Sequence, residues 1–253
     1  MKIALITGAS AGMGREFVRQ IASEAEYEEI WVTARRADRL EALKTELGDK
    51  IVPIPLDLCD DSSFETLSQK LKEKSATISL LITAAGLGKY GSFPKLSEEN
   101  AELMVNTNVL GMMRTVRVCL PYLKAGSRVI LLGSQSSFQP LPHFNIYAST
   151  KAFTLHFGRA LHRELKPQGV TVTTLCPGYV DTEFFEVAAK SEDPEACTNF
   201  TPLYPVDRVV KKALADARRG KDMSVPGAYV KTMRLLCKLL PHALVMKIWM
   251  KIK

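Results

Sequence analysis

Thr7-Gly8-Ala9-Ser10-Ala11-Gly12-Met13-Gly14 follows directly on the apolar run Ile3-Ala4-Leu5-Ile6 and leads into a helical pattern. Three glycines between a strand and a helix let the backbone approach a pyrophosphate. That group then rests on helix N–H groups and the positive end of the helix dipole. Such a loop alone is equally an ordinary tight βα turn; its place between strand and helix points to a dinucleotide. In dinucleotide folds an acidic residue about 20 positions further on takes the adenosine ribose 2′-hydroxyl. Here that stretch reads Val32-Thr33-Ala34-Arg35-Arg36, two guanidiniums and no carboxylate. Arginine suits a 2′-phosphate, so NADP(H) is expected over NAD(H). The competing reading leaves Arg35 and Arg36 at a solvated helix start.

The same alternation continues along the chain. Apolar runs at 2–7, 29–33, 51–56, 78–83, 128–133, 170–176 and 223–225 read as strands buried on both faces. Helical patterns fill 14–25, 38–47, 60–74, 97–123, 145–166 and 205–219. This is the pattern of an α/β fold: a Rossmann-like, doubly wound parallel sheet of seven strands with helices on both faces. Residues 1–226 are expected to form that domain and 227–253 a basic, amphipathic helical tail. With 253 residues the chain can bury a full core, and 46% hydrophobic residues exclude a disordered chain. Cys59, Cys119, Cys176, Cys197 and Cys237 are too scattered for a zinc knuckle or a redox pair, so no metal is expected. Free thiols, and a first segment without a leader pattern, favour a cytoplasmic protein.

Tyr147-Ala148-Ser149-Thr150-Lys151 opens a long helical pattern, and its spacing puts Tyr147 and Lys151 on one face. A free phenol titrates near 10. An adjacent ammonium lowers that value and makes a proton donor and acceptor for a carbonyl/alcohol couple. Tyr-x-x-x-Lys by itself is common on helix surfaces. Upstream, however, Gly133-Ser134-Gln135-Ser136 ends the fifth expected strand, and open α/β sheets bind ligands at strand carboxyl ends.

On these residues the chain resembles the short-chain dehydrogenase/reductase family. The motif at 7–14, Asp57-Leu58, Asn108-Val109-Leu110-Gly111, Ser134, Tyr147 with Lys151, and Pro177-Gly178 occur in the family's order over residues 1–226. The resemblance implies that Tyr147 is the acid of carbonyl reduction and the base of alcohol oxidation. Lys151 would lower the tyrosine's pKa and bind the nicotinamide ribose, Ser134 would bond the substrate oxygen, and Asn108 would hold a water in a proton relay. It assigns Gly8, Ser10, Gly12, Met13, Gly14 and Arg35 to the cofactor, with Asp57 and Leu58 at the adenine. Ala85 and Gly86 would lie along the ribose, and Pro177, Gly178, Val180 and Thr182 at the nicotinamide. Ser136 and Ser137 are the rival serines. One departure is Thr83-Ala84-Ala85-Gly86 in place of the usual Asn-Asn-Ala-Gly, whose asparagines tie strands together.

In the family 182–205 is a mobile lid over the substrate. Phe184 and Phe185, with Leu141, Phe144, Phe200 and Tyr204, offer an apolar wall and point to a hydrophobic, steroid-like or lipid-like ketone. The alternatives are a 3-oxoacyl reductase of the same family and a non-catalytic NADP-binding regulatory module. A homodimer or homotetramer is expected. His143 reads as a substrate contact or a solvated loop residue, and His156, His162 and His242 as surface or packing residues. From Met223 onward there are six basic residues and no acidic one; the rest of the chain carries 28 basic against 27 acidic, so no nucleic-acid partner is expected. Pro241 splits the tail into two apolar helical pieces. The tail packs on its own cleft or on a partner subunit, lies on an anionic membrane surface as basic amphipathic helices do, or is disordered.

Overall fold

Each apolar run of the sequence meets two cores at once. In β1 (Lys2–Thr7), Ala4 and Ile6 pack with Phe17, Val18 and Val210 on one side, while Ile3 and Leu5 pack with Val116, Leu161 and Leu165 on the other. Burial on both faces is why these strands read as continuous rather than alternating. The computed structural model describes residues Met1–Lys253. The further strands are β2 (Glu29–Ala34), β3 (Ile51–Pro55), β4 (Thr77–Thr83), β5 (Leu123–Leu132), β6 (Thr171–Leu175), β7 (Tyr179–Val180), β8 (Leu203–Tyr204) and β9 (Met223–Ser224). Seven of them form one parallel sheet in the order β3-β2-β1-β4-β5-β6-β9, while β7 and β8 pair separately.

The helices are α1 (Gly12–Ile21), α2 (Ala37–Leu47), α3 (Asp61–Glu73), α4 (Glu98–Val105), α5 (Met112–Cys119), α6 (Asn145–Leu165), α7 (Phe184–Ala189), α8 (Val206–Arg218), α9 (Ala228–Leu239) and α10 (His242–Ile252). Helices α1, α2 and α8 cover one face of the sheet, and α3, α5 and α6 the other. Strand order reverses between β1 and β4, whose last residues Thr7 and Thr83 are register partners. That switch point is where such sheets take ligands.

Two expectations change. Helix α1 stops at Ile21 rather than 25, leaving a turn through which Tyr27 enters the core. The helix expected over 97–123 is broken by a π-helical turn at Asn106–Gly111 and a 3-10 turn at Leu120–Tyr122, and β5 begins already at Leu123. Pro121 accounts for the second break. The π turn brings Asn108 inward and sets Gly111 against Leu58, where a Cβ would approach Leu58 Cβ to 2.8 Å. Such turns recur at functional sites.

Candidate active site

The carboxyl ends of β1 and β4 and the amino end of α1 wall one end of a cleft of about 390 Å³. Its floor is backbone on backbone. A Cβ on Gly8 (φ +69°) would lie 2.5 Å from Ala85 N, and one on Gly14 only 2.2 Å from Gly8 O. Ala84 N–H donates to Thr7 O (3.2 Å) and Ala85 N–H to Thr7 Oγ1 (3.3 Å). Thr7 thus supplies a tie between strands where 83–84 lack asparagines, and the buried Thr83 hydroxyl has no hydrogen-bond partner. The amino end of α1 carries no side-chain cap, which leaves its N–H groups to an anion.

Gly8, Ser10, Gly12, Met13, Gly14 and Arg35 all line this end, as do Asp57, Leu58, Ala85 and Gly86. One Asp57 oxygen accepts from Cys59 N–H at 3.0 Å. Arg36 also lines the cleft and donates to Ser10 Oγ at 3.0 Å. Arg39, which the sequence reading did not single out, holds both oxygens of Glu183 at 2.9 and 3.1 Å, and Arg36 lies 3.9 Å from the same carboxylate. Uncapped amides, a glycine floor and clustered guanidiniums are a donor set that fits a phosphorylated adenine dinucleotide. Pro177, Gly178, Val180 and Thr182 line the wall further along.

Tyr147 and Lys151 lie on the first turns of α6, buried in the same cleft. Ser134 lies two residues past the end of β5 and caps the turn Gln135–Phe138, accepting from Ser136 N–H at 3.1 Å. The serines divide by contact. Ser137 Oγ donates to Lys151 O (2.8 Å), accepts from Ser134 N–H (3.2 Å) and lies outside the cleft lining, whereas Ser134 and Ser136 both face the cleft, 3.2 Å apart. Lys151 Nζ donates to Leu132 O at 2.8 Å and sits 5.6 Å from the centre of the Tyr147 ring.

Burial pushes the Tyr147 phenol up to about 12, opposed by the Ser134 hydroxyl, and pulls the Lys151 ammonium down to about 8. In the free site burial sets the direction of both groups. A dry pocket strips hydration from phenolate and ammonium alike, which raises the one and lowers the other. Asn108 is buried beside this pair. Its amide donates to Leu87 O (2.8 Å) and Thr150 Oγ1 (3.1 Å) and accepts from Leu87 N–H (2.9 Å), and the residue does not line the cleft. Its side chain anchors the 86–87 turn to the π-helical turn.

At the other end Leu141, Phe144, Phe184 and Phe185 line the cleft, joined by Tyr90, Cys197 and Trp249. Phe144 stacks on Tyr147 with centroids 4.3 Å apart. Phe200 and Tyr204 lie behind this wall, Phe200 stacked on Phe185 at 4.6 Å. His143 is outside the lining, in a left-handed backbone (φ +64°). Trp249 Nε1–H donates to Pro142 O at 2.9 Å. The tail thus packs against its own cleft, the first of the three arrangements expected for it.

Residues 2–193 match the family model described as short chain dehydrogenase. The chain belongs to the short-chain dehydrogenase family. Among the curated short-chain dehydrogenases it is similar to an NADP-dependent 3-hydroxy acid dehydrogenase YdfG of Salmonella typhi, 35% identical over 213 residues (81% of this chain, 85% of that one). It is also similar to serine 3-dehydrogenase of Agrobacterium fabrum, 35% identical over 182 residues (71% and 72%). Among solved structures, a short-chain dehydrogenase of Sphingobium yanoikuyae with NADPH superposes with a TM-score of 0.80 at 25% identity, covering 97% of this chain and 95% of that one. The closed form of serine dehydrogenase with NADP+ gives 0.77 at 29%, covering 89% and 94%. Arg39, Glu183, Tyr90 and Trp249 are the short-chain dehydrogenase residues that sequence reasoning missed. The one available signal was Trp249, a lone aromatic ring in an otherwise aliphatic and basic helix.

Proposed function

We propose that this short-chain dehydrogenase interconverts an apolar ketone and its secondary alcohol with NADP(H), with Tyr147 as the proton-transferring group. The observation that carries the reading is a buried phenol set between Ser134 and an apolar wall of Leu141, Phe144, Phe184 and Phe185. When bound, NADPH supplies the hydride. Tyr147 O–H then donates to the developing alkoxide, and Ser134 Oγ hydrogen-bonds the same oxygen and stabilises its charge. Lys151 anchors the nicotinamide ribose and, as a cation beside Tyr147, favours the phenolate left after proton transfer. Arg35 and Arg36 receive the 2′-phosphate, Ser10 and the uncapped amides of α1 the pyrophosphate, and Asn108 positions the 86–87 turn.

The similar proteins are named for 3-hydroxy acids and serine, which are carboxylates. Here the substrate end adds the polar side chains of Gln135, Ser136, Gln139, Tyr90 and Tyr179, and no cation besides Lys151 to pair with a carboxylate. A 3-oxoacyl chain is one member of the apolar class. A purely regulatory NADP-binding module has no need of the Ser134–Tyr147–Lys151 set. The test is initial-rate NADPH oxidation with ketosteroids, acyl thioesters and simple alkyl ketones, and NADP+ reduction with serine and 3-hydroxy acids. Apolar ketones should give kcat/KM at least tenfold above the 3-hydroxy acids. The opposite order, or NADPH binding with no turnover of any compound, would overturn the reading.

A further inference from the structure

The last two helices hold down one face and leave the other bare. Helix α9 is anchored by Val230 and Cys237, and α10 by Val245 and Trp249. Of the thirteen large apolar side chains exposed on the molecule, eight lie between Tyr229 and Ile252, with Leu239 69% and Leu235 56% exposed. Interleaved with them are Lys231, Arg234, Lys238, Lys247 and Lys251, all exposed, and no acidic residue. Such concentration of exposed apolar surface marks an interaction site. No helix of the chain is long and apolar enough to cross a membrane.

Beneath the same two helices lies a second cavity of about 110 Å³, eleven of whose thirteen lining residues are hydrophobic. A single water-sized group needs roughly 10–15 Å³, so this space takes several carbon atoms. Four of its residues, Gln135, Gln139, Tyr179 and Trp249, also line the catalytic cleft. Leu236, Ile248 and Ile252 line the cavity and are themselves nearly half exposed, which places its mouth on the bare apolar face.

We infer that the α9–α10 hairpin lies on an anionic lipid surface and that the cavity beneath it is the passage by which the apolar chain of a membrane-resident ketone reaches Tyr147. The second half rests on the apolar-ketone reading of the cleft. Helices with Leu, Ile and Trp on one side and Lys or Arg beside them bind in the interface plane of bilayers, and juxtamembrane cations are drawn to anionic headgroups. A second copy of the chain fits this face less well, because a two-fold interface would set one cationic hairpin against an identical one. Trp249 stands at the partition between passage and cleft, fixed by its bond to Pro142 O.

The test uses the full chain. Wild-type protein and L235E/L239E/L244E, three exposed positions outside both cavities, are sedimented with phosphatidylcholine vesicles with and without phosphatidylserine, at low and high salt. Wild type should bind the anionic vesicles at least tenfold better than the neutral ones and lose that advantage at high salt. The triple variant should stay in the supernatant while reducing short methyl ketones at the wild-type rate. In parallel, Leu236→Trp, which fills the cavity mouth at a half-exposed position, should lower kcat/KM for long methyl ketones at least fivefold and leave short ones unchanged. Absence of vesicle binding, equal binding to both vesicle types, or a wild-type oligomer that the triple variant dissociates overturns the docking. A Leu236→Trp effect independent of chain length overturns the passage. Failure of wild type to reduce even short ketones, with anionic vesicle binding intact, would instead count against the catalytic reading.

Discussion

At the scale of single residues the site turns on how a buried phenol is held. With its pKa pushed up to about 12, Tyr147 is protonated at neutral pH and ready to donate, while oxidation needs the phenolate. The phenolate fraction grows tenfold per pH unit until about 12, so alcohol oxidation, followed as NADP+ reduction from pH 7 to 10, should climb steeply at first and flatten above about 8, where Lys151 loses the charge that favours the phenolate. Carbonyl reduction should not be limited by Tyr147 over that range. It should decline above about 8, where Lys151 loses its charge in the free enzyme, and kcat/KM for NADPH reports that limb. Lys151→Arg should shift the decline upward, since a guanidinium keeps its charge. Tyr147→Phe should lower kcat roughly 10²–10⁴-fold with NADPH affinity, read by fluorescence, unchanged; wild-type turnover in that variant would refute the assignment. Thr83 offers a test of packing alone. Its hydroxyl is buried without a partner, and such a group costs about 1–3 kcal/mol. Thr83→Val should therefore raise Tm by about 2–4 °C per kcal/mol recovered, whereas a lower Tm would show that the hydroxyl has a role.

At the scale of elements, the strand runs and the Tyr147–Lys151 turn of α6 were legible because local pattern and burial agree. The segment 182–205 was legible only in composition. Phe184 and Phe185 announce an apolar wall, but nothing local shows that Glu183, the residue before them, reaches across to Arg39, 144 positions away. That contact links the start of this segment to the guanidiniums proposed to take the 2′-phosphate. Glu183 sits at the edge of the cleft, its carboxyl held below the ordinary range by Arg39. A 2′-phosphate brought to Arg36 would meet that carboxylate as a like charge. Glu183→Gln should accordingly tighten NADPH by about threefold, the size of an exposed charge pair, and leave NADH unchanged. Titration of both cofactors at low and high salt checks this, and equal gains for NADH and NADPH would show the effect to be steric. The π turn at Asn108 was illegible for a related reason. Its sequence is compatible with plain helix, and contacts to Leu87 and Thr150 accompany the wider turn.

Taken whole, the molecule separates a cofactor half built by strand order from a substrate half closed by its last helix. The family match ends at residue 193, and Trp249, beyond it, bonds to Pro142 across 107 positions. A contact so long in sequence leaves no periodic trace, so the sequence showed a basic, amphipathic tail split at Pro241 and left its packing on the cleft as one of several arrangements. The arrangement has a mechanical consequence. Helix α10 buries just Val245 and Trp249, so it is tied to the body by few groups and opens locally at low cost. Removing a large aromatic from a continuous core costs about 3–5 kcal/mol of global stability. Trp249→Ala should behave differently, because the helix can detach while the sheet stays folded. Tm should fall by less than about 2 °C, well short of the shift such a loss implies for a chain of this size. Amide exchange over 242–252 should accelerate toward that of free chain, and KM for an apolar ketone should rise about tenfold, the equivalent of 1.4 kcal/mol of lost contact. NADPH affinity should not change, since Trp249 lies at the far end of the cleft from Arg35 and Arg36. A large drop in Tm with unchanged exchange in α10 would mean that the tail is part of the cooperative core, and that the cleft cannot open at this end without unfolding the molecule.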